Sequence, residues 1–304
     1  DFEEVIGQEH IVRTIQNAIA RDNIAHAYLF VGSRGTGKTT IARIVAKAIN
    51  CEKPHNGAPC GKCQNCIDIS NGRALDIIEI DAASNRGIDD IRELREGIRS
   101  VPTHLKYKVY IIDEAHQLTK DAFNALLKTL EEPPEHAVFI LATTTADKMP
   151  ATILSRVQRF DFKKFSVDQI VEKLQKITKN EKVKADEDAL RLIAYAAEGG
   201  LRDAESLFAQ VLAHAKDGVS EKTVRETLGI AGPKQIIDFT DVVIEKDLSK
   251  AIAYINELYS NGGSADEFLK SSVNYLRKLM LVKIDPALRR FVASELTDDQ
   301  FSVM

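Results

Sequence analysis

Short apolar runs alternate with amphipathic stretches over the first half of the chain, and amphipathic stretches alone fill the second. Ala27-Tyr28-Leu29-Phe30-Val31 has the length and content of a buried strand, and Leu75–Ile80, Tyr107–Glu114, Ala137–Ala142 and Val157–Phe162 repeat that signature. Between these runs the apolar residues recur at helical spacing. Ile11, Ile15, Ala18 and Ile19 form one such face before Arg21, and Ile41, Ile44, Val45 and Ala48 form another within 40–49. A helix is expected from about Ile88 to Ser100 on the stripe Ile88, Ile91, Leu94 and Ile98. Thr119 is suited to cap a helix running to Glu131, with Phe123, Leu126, Leu127 and Leu130 inward and Pro133-Pro134 ending it. A short helix is expected to reach Leu154-Ser155-Arg156. Five strands alternating with helices predict a doubly wound α/β domain.

From Ser166 onward no strand pattern follows. Ser166-Val167-Asp168-Gln169 has the form of a capping box opening an amphipathic helix. Two more helices are expected over 188–198 and 202–216, separated by Gly199-Gly200, and Ser220 is placed to cap a fourth. Gly232-Pro233 suggests a second boundary. Beyond it, helical segments carry Ile252, Ile255 and Leu258, then Phe268, Val273, Leu276 and Leu279. The pattern divides the chain into an α/β domain (1–164), a small helical domain (165–230) and a third, helical one (231–304). Asp1 is no initiator methionine and no stop signal precedes Met304, so upstream residues and a longer third domain are expected.

At 304 residues the chain has room for several cores, and 44% hydrophobic with 28% charged residues is ordinary globular composition. The net charge of −4 excludes general attraction to polyanions, so nucleic acid would be met through a local patch or within an assembly. No apolar run approaches the roughly 18 residues of a membrane span, and no signal peptide opens the sequence, which predicts a cytoplasmic protein without membrane contact.

Gly32-Ser33-Arg34-Gly35-Thr36-Gly37-Lys38-Thr39 matches the phosphate-cradling pattern in full, with a strand run before it and a helix pattern from Thr40 after it. Backbone N–H groups of such a loop turn inward around phosphates at a helix N-terminus. Lys38 would pair with the β- and γ-phosphates of ATP and the Thr39 hydroxyl would ligate Mg²⁺. Tyr107–Glu114 ends in two carboxylates: Asp113 would sit behind the Mg²⁺, and Glu114 would orient or deprotonate the attacking water. Asp113-Glu114-Ala115-His116 also spells a helicase box, but no second motor domain with arginine-rich motifs accompanies it. All the cysteines, Cys51, Cys60, Cys63 and Cys66, fall within 50–67. Disulfides are one reading, and a closed structural Zn²⁺ site the favoured one, since Cys60-x-x-Cys63-x-x-Cys66 suits tetrahedral thiolate ligation in a reducing compartment. Arg92, Arg95 and Arg99 share one helical side. A solvated face beside Glu93 and Glu96 and a rail for nucleic-acid phosphates are both open.

Phosphate loop, Asp-Glu strand, polar Thr143-Thr144-Thr145 and helical segments after the fifth strand together resemble the AAA+ ATPases. Thr152-Ile153-Leu154-Ser155-Arg156 is similar to the Ser-Arg motif of their clamp-loader branch, with Val157 where that motif has cysteine. The cysteine module, His26–Phe30, Asp81–Asn85 and Asp121–Glu132 resemble the gamma/tau family of bacterial DNA polymerase III subunits, from Phe2 to about Gly232. The resemblance implies an AAA+ domain with an inserted zinc module, an all-α lid and an all-α collar. It implies Thr144 as a γ-phosphate sensor, Arg202 as a lid arginine on the same phosphate, and Val5, Ile6 and Gly7 bordering the adenine, a pocket completed by residues upstream of Asp1. Arg156 would act on the ATP of a neighbouring subunit. The implied activity is ATP-driven loading of a sliding clamp onto primed DNA. The implied partners are other clamp-loader subunits in a pentameric hetero-oligomeric ring, the clamp, and DNA bound only by the assembly. Polymerase and helicase contacts would need regions beyond this sequence, and the chain itself would not polymerise nucleotides. A degenerate paralogue, a branch-migration motor and a nucleotide-bound scaffold are the alternatives.

Overall fold

Every side chain of Ala137–Thr143 is buried, because this segment is the middle strand of a five-stranded parallel sheet covered on both faces. The structure, a computed structural model, describes residues 1–84, 97–98, 100–215, 218–260 and 264–285. The strands are β1 (Ala27–Val31), β2 (Ile77–Asp81), β3 (Lys108–Asp113), β4 (Ala137–Thr143) and β5 (Gln158–Asp161), ordered β2-β3-β4-β1-β5. Period-two alternation sends Tyr28, Phe30, Val109, Ile111, Val138 and Ile140 to one face. Leu29, Tyr110, Ile112, Phe139 and Leu141 go to the other. Helices α1 (Glu9–Ala20) and α2 (Lys38–Ile49) bring Ile11, Ile15, Ile41 and Val45 to the first face. After the short α3 (Gln64–Ser70), helix α4 (Lys120–Glu131) brings Phe123, Leu126 and Leu130 to the second. Thr119 caps α4 as expected, accepting the Ala122 N–H at 3.2 Å.

Two sequence expectations shift. Helix α2 starts at Lys38 rather than Thr40, directly from Gly37, whose φ of +92° only glycine adopts without strain. Strand β2 starts at Ile77 rather than Leu75. Asp76 turns inward, 2% exposed, to accept the backbone N–H groups of Thr103, His104 and Leu105, which leaves Leu75 79% exposed.

The described chain separates into two compact units. Residues 1–169 with 199–202 form the sheet unit, which also contains the short helix α5 (Ala151–Leu154). Residues 170–198 and those from 203 onward form the second, whose described elements are helices, apart from one parallel bridge between Ala185 and Val219. Its segments belong to α6 (Val167–Glu181), α7 (Glu187–Ala196), α8 (Leu201–His214), α9 (Glu221–Leu228), α10 (Pro233–Ile244), α11 (Leu248–Ser260) and α12 (Ala265–Ile284). The capping box that opens α6 is present in both directions: Ser166 N–H donates to Gln169 Oε1 at 2.9 Å, and Gln169 N–H to Ser166 Oγ at 3.2 Å. In α10–α12 the apolar stripe divides differently from its sequence pattern. Leu258 and Phe268 are buried around Phe239 and Tyr254, whereas Ile252, Ile255 and Val273 stay exposed. Three helices closing on one aromatic cluster, with Phe239 and Phe268 edge to face at 5.0 Å, cover a single side of each helix.

Candidate nucleotide site and cysteine cluster

The strand order places β4 between β1 and β3, so three loops meet at one end of the sheet. In parallel sheets this C-terminal edge, where strand order reverses, is where ligands bind. The loop after β1 lies against the end of β4 through Gly32 N–H, which donates to Thr143 O at 3.1 Å. A Cβ on Gly32 would stand 2.7 Å from Phe162 Cβ, so the close approach itself demands glycine. Lys38 is 6% exposed and its Nζ donates to the carbonyls of Gly32 and Ser33, each at 2.8 Å. Burial lowers the Lys38 pKa, while the charges of Glu114 and Asp113 work against that shift. Thr36 is buried and its hydroxyl donates to Ser33 O at 2.8 Å, which holds the loop's turn. Gly35 and Gly37 supply left-handed turns, and Arg34 and Thr40 face solvent.

Across β4, the Thr39 hydroxyl donates to Asp113 Oδ2 at 2.7 Å. A hydroxyl and a carboxylate oxygen at that separation are the hard oxygen donors that Mg²⁺ prefers. Glu114 follows with φ +47°, a conformation that turns the chain sharply out of β3. Its Oε2 accepts the Thr144 hydroxyl at 3.1 Å. The phosphate loop, Asp113, Glu114 and Thr144 are thus brought together. Leu201 N–H donates to Gly35 O at 3.0 Å, which sets neighbouring Arg202, exposed at its side chain, beside the loop. Val5 packs partly buried on the first core cluster, and Gly7 lies against Phe165 and Gln169.

Arg156 has other neighbours. Its Nη1 donates to Thr152 O at 2.8 Å and Ser155 Oγ at 2.9 Å, and its Nη2 pairs with Glu131 Oε1 at 2.9 Å. Arg92, Arg95 and Arg99 lie outside the described residues.

Sequence reasoning missed two residues here. Gln8, 1% exposed, donates from Nε2 to Lys163 O at 2.8 Å and accepts Lys163 N–H on Oε1 at 3.2 Å, tying the entry of α1 to the exit of β5. His116 sits between Glu114 and Thr143, with Nδ1 3.3 Å from Glu114 Oε2 and 3.0 Å from Thr143 Oγ1. Its sequence signal was the last place of the Asp113-Glu114-Ala115-His116 box, weighed there only as a helicase motif and not as a contact of Glu114.

The four cysteine sulfurs lie within 4.8 Å of one another, with Cys51–Cys63 and Cys60–Cys66 at 4.0 Å. The S···S edge of a tetrahedral Zn²⁺–thiolate site is about 3.8 Å, from bonds of about 2.3 Å, so this donor set fits zinc. Backbone N–H groups already point at sulfur, among them those of Cys60 toward Cys51 and of Cys63 toward Cys60. Cys60 is lowered to about 6, chiefly by the N–H groups of Lys62 and Cys63. Desolvation pushes Cys66 up. The cluster is joined to the nucleotide-binding half through Asn65, which donates to Asn50 O at 2.9 Å just beyond α2.

A parallel sheet in this order, with a phosphate loop after β1, paired carboxylates after β3 and helical segments following, defines an AAA+ nucleotide-binding fold. Solved structures agree on the fold: the RuvB Holliday junction branch migration motor of Thermotoga maritima aligns with a TM-score of 0.56 at 21% identity, over 87% of this chain and 85% of its own. Family models match in series, DNA polymerase III delta subunit at 7–166, the clamp-loader-subunit ATPase lid domain at 169–217, and domain III of the gamma and tau subunits at 219–301. The tau subunit of Bacillus subtilis is 45% identical over 99% of this chain and 53% of its own length. The tau subunit of Escherichia coli is 43% identical over 94% of this chain and 44% of its own. The gamma subunit of Buchnera aphidicola (strain Bp) is 40% identical over 95% of this chain and 78% of its own. The chain belongs to the gamma/tau family of DNA polymerase III subunits. It spans about half the length of the tau relatives. The family's AAA+ ATPase character implies use of a nucleotide and Mg²⁺. No helix among the described residues is long and apolar enough to cross a membrane.

Proposed function

We propose that this chain is an ATP-hydrolysing subunit of the bacterial replicative clamp loader, using ATP to place the sliding clamp on primed DNA. The observation that carries the reading is the convergence on β4: Thr39 on Asp113 at 2.7 Å and Thr144 on Glu114 at 3.1 Å, in a chain of this family. Gly32 to Thr40 cradle the phosphates. Lys38 leaves its loop carbonyls to pair with the β- and γ-phosphates, a short move because Gly32 and Ser33 belong to the same cradle. Thr39 and Asp113 hold Mg²⁺, which when bound neutralises charge on the phosphate oxygens. Glu114 takes the proton of the attacking water, and Thr144 reads the γ-phosphate through the same carboxylate. Arg202 reaches that phosphate from the start of α8. Val5, Ile6 and Gly7 border the adenine.

Arg156 serves the neighbouring subunit's ATP. Its intrachain partners are Thr152, Ser155 and Glu131, none of which belongs to the Thr39–Asp113 or Glu114–Thr144 contacts. Cys51, Cys60, Cys63 and Cys66 hold a structural Zn²⁺. The three matched segments support a division into ATPase domain (1–164), lid (165–230) and collar (231–304), with the collar joining a hetero-oligomeric, five-membered ring in the cytoplasm. The test is hydrolysis by the full-length protein in its reconstituted assembly, with and without clamp and primed DNA. Turnover stimulated by both supports the reading. Turnover indifferent to both contradicts it, and absent turnover with bound nucleotide makes the chain a scaffold.

A further inference from the structure

We infer that His116 is a positioning residue for Glu114, donating from Nδ1 and linking the Glu114 carboxylate to the end of β4. This rests on the proposal that Glu114 handles the attacking water. The geometry fixes where the imidazole proton lies. Nδ1 stands 3.3 Å from Glu114 Oε2, an oxygen that only accepts when ionised, and 3.0 Å from Thr143 Oγ1. Thr143 Oγ1 accepts Thr145 N–H at 3.1 Å and has its own acceptor in Thr145 O at 3.3 Å. A bare nitrogen lone pair facing the carboxylate would be repelled, whereas an N–H there is shared between carboxylate and hydroxyl. Nδ1 therefore carries the proton.

Three features make this more than a surface contact. The His116 side chain is 10% exposed, so water competes poorly for Nδ1, whereas Glu114 at 31% stays open enough to meet a water molecule. Thr143 is fully buried, so its hydroxyl is a fixed reference point. Thr144, the next residue, donates to the same Glu114 oxygen at 3.1 Å. Thr143, the last residue of β4, and Thr144 just after it thus hold one carboxylate oxygen by two routes, one through His116 and one direct. The other oxygen has no hydrogen-bond partner among the described residues and can meet water. Without His116, Glu114 keeps one tether and gains rotamers, and the fraction of correctly aimed carboxylate falls.

The side-chain replacements separate positioning from bulk. Asparagine carries its amide nitrogen near the place of Nδ1, whereas glutamine reaches toward that of Nε2. In the full-length protein within its assembly, single-turnover hydrolysis at saturating ATP should fall about tenfold for His116→Ala and His116→Gln, the scale of one hydrogen bond to a charged group. His116→Asn should stay within about threefold, and nucleotide affinity should change by less than about twofold in all three, because only the chemical step is touched. On a Glu114→Gln background the same changes should add no further loss. His116→Asn as slow as His116→Ala, a fall in nucleotide affinity, or losses that multiply with Glu114→Gln would each overturn the inference. If His116→Ala does not fold, the comparison of His116→Asn with His116→Gln decides it. A Glu114→Gln protein with undiminished hydrolysis would instead remove the proposed role of Glu114 itself.

Discussion

Asp76→Ala should destabilise the edge of the sheet that ends in Asp113 and Glu114. The Asp76 carboxylate is the acceptor for Thr103 N–H at 2.9 and 3.0 Å, His104 N–H at 3.0 Å and Leu105 N–H at 3.2 Å. Those residues lead into β3, and Asp76 O accepts Val109 N–H at 2.8 Å from within that strand. Each buried donor left without an acceptor costs about 1–3 kcal/mol. The loop can turn some of its N–H groups to water, so the lower end applies to each, and the sum is about 3 kcal/mol. Asp76→Asn keeps one acceptor oxygen and should cost about half of that. The same site carries an acid dependence. Burial raises the Asp76 pKa, but the N–H groups of His104, Thr103 and Leu105, helped by Lys108, outweigh it and leave the carboxyl below its ordinary value. A folded value below the unfolded one means that the stabilisation is present above the ordinary carboxylate range, near about pH 4, and is lost as pH falls through the folded value. Asp76→Ala should lose that part of the acid sensitivity. Denaturant unfolding across pH, with amide exchange at Thr103, His104 and Leu105, measures both. A loss under about 1 kcal/mol, or undiminished protection of those amides, would refute the reasoning.

Cys63→Ala should lose one bound zinc per chain by elemental analysis and loosen residues 50–67 while leaving ATP binding at the phosphate loop intact; reduced wild-type protein without metal would contradict the site. Glu114→Gln should bind Mg²⁺-ATP normally and hydrolyse it at least roughly 10²-fold more slowly, the scale of a lost general base. Lys38→Ala should lose affinity instead, and equal loss of binding in both would undo the division of roles.

What was legible in the chain was whatever local spacing determines. The Gly32–Thr39 pattern and the apolar run into Asp113-Glu114 locate two parts of the site because strand, loop and helix each have their own period. The cysteine spacing does the same for a metal cluster. Contacts set by strand order were not legible. That β4 lies between β1 and β3, and so carries Thr143 and Thr144 into the site, is a tertiary fact. His116 and Gln8 acquire partners 27 and 155 residues away, beyond the reach of any local pattern. Asp76 delays the start of β2 because its buried carboxylate accepts three N–H groups of the loop before β3. In α10–α12 helical periodicity identified apolar positions, but which of them face Phe239, Tyr254 and Phe268 depends on how the helices pack.

The central claim is a catalytic centre assembled from two chains, the phosphate loop and Glu114 of one with Arg156 of its neighbour, and a mixing experiment tests it most directly. A guanidinium offers planar donors suited to the spreading charge of a transferring phosphoryl group. Arg156→Ala should leave the chain's own ATP affinity nearly unchanged while lowering stimulated hydrolysis in the assembly by roughly 10³-fold. Lys38→Ala should be inactive for want of bound nucleotide. When the two variants are assembled together, some interfaces pair an intact phosphate loop with an intact arginine, and part of the stimulated rate should return. If assembly is normal and no mixture regains activity, Arg156 acts within its own chain and the two-chain centre is wrong.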